Sequence, residues 1–274
     1  MARAATPLSE ELWTPLGVTS ILLGGGRGHV SDYSAVDNNP AGIALQKTYM
    51  LSGDMGWTGQ KSRQAEAAVC DSATSELAAC LKFRQTQQIS GARDRRYSVA
   101  LAEVLGEASG VTLGLAGDYI QFSKTRGIDA ISAPSSYTGQ RVRAGLLYLP
   151  AEGVLVGVSS DGLYDSTDTQ IAHGFGVSVQ AGKYFLFNGD LNFSSDRLKD
   201  GALGMTIFPK DFLDLAVSYG YDPRESSHKT AAGVVVKSQQ ARIIYSLAKA
   251  DDHSAKWVHR IGIGIYMAGD AGVR

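Results

Sequence analysis

Long hydrophobic runs are missing from this chain of 274 residues. No stretch approaches the roughly 18 to 20 continuous apolar residues that a membrane-spanning helix requires, so helical spans are excluded. Net charge is nearly absent too, at -1, and no run of Lys/Arg forms an electrostatic footprint; nucleic acid is not an expected partner. Cysteine is limited to 2 residues with no histidine beside them, which does not make a zinc shell. The histidines, at 29, 173, 228, 253 and 259, lack metal-binding spacing, and no Gly-x-Ser-x-Gly elbow is present. No metal, no cofactor and no enzymatic activity is expected. A complete secretory signal is also missing, since no apolar core precedes Thr6. Ala2-Arg3-Ala4 followed by Ala5 has the small-x-small form of a cleavage site, and a chance Ala-rich terminus reads equally well.

Proline is scarce at 7 residues and charge low at 19%, whereas glycine is abundant at 32. That balance suits sheets with small residues on one face. From residue 95 onward, period-2 alternation recurs in short segments separated by turn chemistry. Val111, Leu113 and Leu115 oppose Thr112, Gly114, Ala116 and Asp118. Leu213, Leu215, Val217 and Tyr219 oppose Asp214, Ala216 and Ser218, and Ile261, Ile263 and Ile265 oppose Arg260, Gly262 and Gly264. In a soluble sandwich the second face would meet water and carry Thr, Lys and Glu; here it is rich in Gly, Ala and Ser, as if crowded inside a lumen. Strands are expected near 47–58, 95–104, 110–123, 139–149, 153–164, 169–180, 183–193, 200–208, 212–221, 229–237, 240–249 and 257–268. Tight links at 106–110, 150–153, 181–183, 209–211 and 238–239 alternate with longer polar ones, the pattern of short periplasmic turns and longer external loops. Tyr97, Tyr119, Tyr219, Tyr221 and Trp257 fall toward the external ends of strands, and Tyr148, Phe185 and Phe187 toward the periplasmic ends, as interfacial girdles require.

The expected fold is all-β: a transmembrane antiparallel β-barrel of about 12 strands, within a range of 12 to 14, in the bacterial outer membrane. Residues 1–46 would form an N-terminal plug or periplasmic segment, 47–268 the barrel and 269–274 a periplasmic tail. Cys70 and Cys80 lie in a polar stretch read as a long first external loop, a candidate contact surface for a partner protein. A disulfide between them is favoured; closing a loop of about 11 residues contributes roughly 3 kcal/mol in the chain-entropy model and requires an oxidising compartment.

The segment before the first strand breaks the alternation. Leu23-Gly24-Gly25-Gly26-Arg27-Gly28-His29 leads to Ala35-Val36-Asp37-Asn38-Asn39-Pro40-Ala41-Gly42-Ile43-Ala44. No Lys-Ser or Lys-Thr follows the glycines, so a phosphate loop is excluded. Asn39-Pro40 favours a turn, Asp37 or Asn38 can cap a short helix, and Gly42 permits close backbone approach. This segment resembles the FadL-type fatty-acid channel family of outer-membrane barrels, with Ile43 where Leu is usual. The resemblance implies an N-terminal plug inside the barrel and passage of hydrophobic substrates, with Asp37, Asn38, Asn39, Pro40 and Gly42 as plug or ligand-binding residues. The other reading of these residues is a buried anchoring turn without a transport role.

The lumen phase carries Arg141, Arg143, Lys237, Arg242 and Arg260 as well as Asp118, Asp190 and Asp214. These charges must pair or touch water; they either fix the plug or line a path for a polar headgroup such as a carboxylate. Arg260, Gly262, Ile265 and Met267 resemble a C-terminal signal for the barrel-assembly machinery. Outer-membrane lipid and a hydrophobic small molecule are the remaining expected partners. Passive uptake of hydrophobic or amphipathic molecules such as long-chain fatty acids is the expected function. Its rival, a non-transporting structural or partner-binding barrel, is favoured by the short polar loops.

Overall fold

In a membrane, strands must pair on both edges, because an unpaired backbone N–H or C=O in hydrocarbon costs several kcal/mol. The computed structural model meets this demand by closure. It describes residues 27, 32–58, 62–88, 91–106, 109–123, 136–166, 171–194, 197–223, 226–250 and 257–267. Fourteen antiparallel strands form the wall: β1 (Tyr49–Thr58), β2 (Arg63–Asp71), β3 (Ala78–Gln87), β4 (Arg93–Val104), β5 (Val111–Ser123), β6 (Ser136–Ala151), β7 (Val154–Asp165), β8 (Ala172–Ala181), β9 (Phe185–Ser194), β10 (Arg197–Lys210), β11 (Leu213–Asp222), β12 (Ser227–Lys237), β13 (Ala241–Ala250) and β14 (Val258–Met267). Each strand pairs with its sequence neighbours, and β1 closes on β14 from Tyr49↔Met267 to Thr58↔Val258. No helix among the described residues is long and apolar enough to cross a membrane.

The two faces separate as the alternation requires. Leu115 and Ile263 stand outward at 59% and 51% exposure, while the intervening Ala116 and Arg260 are 3% and 2% exposed. Exposed aliphatics around a closed, polar-lined wall describe an outer-membrane barrel facing lipid. The links between β4 and β5, β6 and β7, β8 and β9, β10 and β11, and β12 and β13 share one end with Tyr49 and Met267. They are the tight ones, so this end is periplasmic and the opposite end external.

The wall has two more strands than the twelve segments located in the sequence. The stretch read as one long external loop contains the hairpin β2–β3, whose turn lies at the periplasmic end. β2 hides because its outward residues, Arg63, Ala65, Ala67 and Val69, are scarcely more apolar than its inward Gln64, Glu66, Ala68 and Cys70. β3 alternates clearly only where Leu81 and Phe83 oppose Lys82 and Arg84. A missed hairpin leaves strand parity unchanged, which is why the other links kept their sides. The Cys70–Cys80 disulfide is present, but it joins directly opposed residues inside the wall near the periplasmic end and not in an external loop. The long-loop contact surface therefore does not exist as expected.

Leu115 lies near the middle of β5 on the lipid side. Leu115→Arg is expected to destabilise the barrel by about 2–4 kcal/mol, the depth-dependent cost of a cation near the bilayer midplane. Equilibrium denaturation of the protein refolded in lipid vesicles measures it.

Candidate functional site: a plugged lumen

Residues 32–44 form a compact segment made of a single α-turn, α1 (Ala35–Asn38), and a 3-10 helix over Pro40–Ala44. Asp32 accepts a hydrogen bond from the backbone N–H of Ser34 at 2.7 Å, and the Asn38 side chain donates to the Ser34 carbonyl at 2.8 Å, so the turn satisfies its own ends. Asn39 is extended, the conformation a following proline imposes, and Pro40 opens the next helix where no N–H is needed. The Asn39 side-chain carbonyl accepts from Ala41 N–H at 3.3 Å. Gly42 N–H in turn donates to the Asn39 carbonyl at 2.9 Å. The segment is buried almost throughout, and side chains of β1, β3, β6 and β13 reach it from around the wall, which places it in the lumen.

A trough of missing side chains receives it. Gly114 on β5 pairs with Gly145 on β6, Gly145 with Ser159 on β7, and Ser159 with Gly174 on β8, forming one lateral row. A Cβ on Gly114 would lie 2.3 Å from the Ala41 nitrogen and 2.4 Å from the Pro40 carbonyl carbon; one on Gly145 would lie 1.9 Å from Asn39 Oδ1. Gly174 would strike the Arg27 side chain at 2.2 Å. The chain thus lies against the wall at distances that only glycine allows. Asn39 secures it by donating to the carbonyls of Leu146 and Val158, at 3.1 and 3.3 Å.

Electrostatics supplies the second attachment. Asp37 meets Lys82 at 2.5 Å, Arg143 at 3.4 Å and Arg84 at 3.6 Å. Lys82 also contacts Glu66 at 2.6 Å, and Arg143 contacts Asp118 at 2.5 Å. Elsewhere Asp32 pairs with Arg242, and the Tyr33 hydroxyl donates to Asp54 at 2.7 Å, beside Arg260 at 3.9 Å. Arg27 donates its backbone N–H to Asp190 at 3.0 Å and a guanidinium N–H to the Asn38 carbonyl at 3.0 Å. Buried charges are costly alone and tolerable when paired, and each of these is paired.

Of the residues singled out in the sequence, Asp37, Asn38, Asn39, Pro40 and Gly42 lie together in the plug, with Arg143, Asp118, Arg242, Arg260 and Asp190 around it. Arg141 stands apart toward the external end, held by Asp165 at 2.8 Å and Asp161 at 3.4 Å. Asp214 and Lys237 form a separate pair at 2.8 Å near the periplasmic end. Arg27, Asp32, Tyr33, Asp54, Glu66, Lys82 and Arg84 were missed. For Lys82 and Arg84 the alternation with Leu81 and Phe83 was an available signal; Asp32 and Tyr33 sit outside any strand pattern.

The fold is similar to that of the monoaromatic hydrocarbon channel CymD. The two superpose with a TM-score of 0.75 at 12% identity, covering 93% of this chain and 98% of that one. The Ralstonia pickettii toluene transporter TbuX gives 0.71 at 11% identity, over 92% and 98% of the two chains. A Pseudomonas aeruginosa FadL homologue gives 0.67 at 10%, again over 92% and 98%. No family model and no curated protein sequence matches the chain. The likeness is one of fold, a closed outer-membrane barrel of the type these channels have.

Gly114→Ala is expected to leave the barrel folded and unseat the plug, while Gly117→Ala on the lipid side of the same strand, where a Cβ meets nothing within 4 Å, leaves both intact. Limited proteolysis within residues 32–44 reads the difference, since protection holds only while the plug is docked. Asp37→Asn leaves Lys82, Arg84 and Arg143 without their shared anion and is expected to weaken docking by about 3–5 kcal/mol. Hydrogen exchange of the Asn38 and Asn39 amides measures that loss.

Proposed function

We propose that this protein carries hydrophobic small molecules passively across the outer membrane through the plugged lumen. The observation that supports this reading is the plug itself. A barrel with a purely mechanical role needs only its wall, whereas this one holds a separate segment in a glycine trough inside the lumen, tied by ion pairs, as a controlled path requires. The fold likeness to hydrocarbon channels is consistent with this role.

The ion pairs also bear on the cargo. A fatty-acid headgroup requires an arginine free to bind a carboxylate in a bidentate manner. Arg143, Arg242 and Arg260 each face a carboxylate of the protein, as does Arg141 farther out. Uncharged cargo therefore fits the lumen better than a long-chain fatty acid. A monoaromatic hydrocarbon is the representative of that class named by two of the neighbouring structures. The competing reading, a structural or partner-binding barrel, is favoured by the short polar loops of the sequence.

The test compares uptake of labelled toluene and labelled oleate by cells with the protein, without it, and with Gly114→Ala. Toluene uptake that depends on the protein and changes in the plug variant supports the channel. Oleate uptake that depends on it while toluene uptake does not would restore the fatty-acid cargo. If neither depends on it, transport is refuted and the structural reading stands.

A further inference from the structure

The outer wall is not uniform at its external rim. Cross-strand register places Arg63, Gln87, Arg93, Ser123 and Ser136 in one lateral row on β2 to β6. The next row toward the membrane holds Ala65, Gln85, Arg95, Gln121 and Thr138. All of these alternate with inward-facing residues and stand on the outer face. Immediately below them Phe83, Tyr97 and Tyr119 form an aromatic step, with ring centres 5.2 and 6.3 Å apart. Aromatic girdles mark the interface between hydrocarbon and headgroups, so the two polar rows lie at headgroup depth.

Three arginines and no carboxylate occupy these rows. That sector contrasts with the whole chain, whose net charge is only -1. At the external end of the far wall, His228 stacks on Tyr221 at 4.9 Å and Lys249 lies over the Trp257 ring at 5.8 Å. Arg63 and Arg93 stand two strands apart, on the order of 10 Å. The Arg95 Nε donates to Gln85 Oε1 at 3.1 Å, which holds this guanidinium in place. Two grooves flank the cluster. One, of about 480 Å³, is lined by Trp57, Arg63, Gln85 and Gln87, and the other, of about 510 Å³, by Arg93, Arg95, Gln121 and Thr138.

From these observations we infer that the β2–β6 sector is a docking surface for a phosphorylated glycolipid of the outer leaflet. Its sugar phosphates would lie against Arg63, Arg93 and Arg95, and its acyl chains would run down past the aromatic step. Guanidinium recognises phosphate through paired N–H donors, and the neighbouring amides and hydroxyls match a sugar headgroup. The surface is on the lipid side of the wall, separate from the lumen and independent of what crosses it.

Native mass spectrometry of the detergent-purified protein provides the test, with bis-phosphorylated lipid A and its dephosphorylated form as probes. The wild type should retain the phosphorylated form about tenfold better, and the R63A/R93A/R95A variant should lose that preference. Lysine at the same positions should keep part of it. Heat-modifiable electrophoretic migration verifies folding of each variant. Should the triple variant fail to fold, Arg93→Ala alone carries the test, because Arg93 is exposed at the rim. Lys249→Ala on the outer face of β13 should change nothing. Equal retention by wild type and the arginine variants would overturn the inference. So would equal retention of the dephosphorylated lipid, an equal loss in Lys249→Ala, or full displacement by millimolar inorganic phosphate, which would mark a free-anion site.

Discussion

Closure of the sheet is the constraint on which the rest depends. With β1 paired to β14 along its full length, no strand edge faces hydrocarbon, and every residue of the wall must choose between lipid and lumen. The period-2 pattern follows from that choice. The small residues follow too, because a wall curved into a closed tube crowds the side chains on its concave face. Residues 32–44 lie buried inside this tube, and the lumen is shielded enough for charges within it to matter.

The charges on the wall would be unstable without the plug. Lys82, Arg84 and Arg143 converge from β3 and β6 on a single point, and Asp37 occupies it. Glu66 and Asp118 are each committed to one of these cations, so Asp37 is the anion the cluster shares. Wall and plug are thus electrostatically complementary: the docked segment relieves repulsion among the cations, and the cations fix the height at which it docks. The Asp32–Arg242 and Tyr33–Asp54 contacts fix its orientation from the other side.

Alternation revealed the barrel, its phase and its sidedness, because each follows from local hydrophobic contrast. It failed at β2, where the outward alanines provide little contrast with inward Ala68 and Cys70. The lumen charges Arg143, Asp118, Arg242 and Arg260 were legible as inward-facing, but their partners were not. Pairing of Asp37 with Lys82 joins positions 45 residues apart through the closed wall, and no sequence periodicity encodes that approach. Asn39 was legible as a turn residue before proline. Its hydrogen bonds to β6 and β7 depend on where the tube brings those carbonyls.

The glycine trough stores its information by omission. A row with almost no side chains takes up the backbone of Pro40 and Ala41 at Gly114, the side chain of Asn39 at Gly145 and that of Arg27 at Gly174. Substitutions in the plug that point away from Gly114 and Gly145 are therefore permitted by the trough, while any gain of bulk at those glycines is felt at once. The arrangement lets the two partners diverge at unequal rates. A lineage can alter what the docked segment presents to the rest of the lumen without rebuilding the seat that holds it in place.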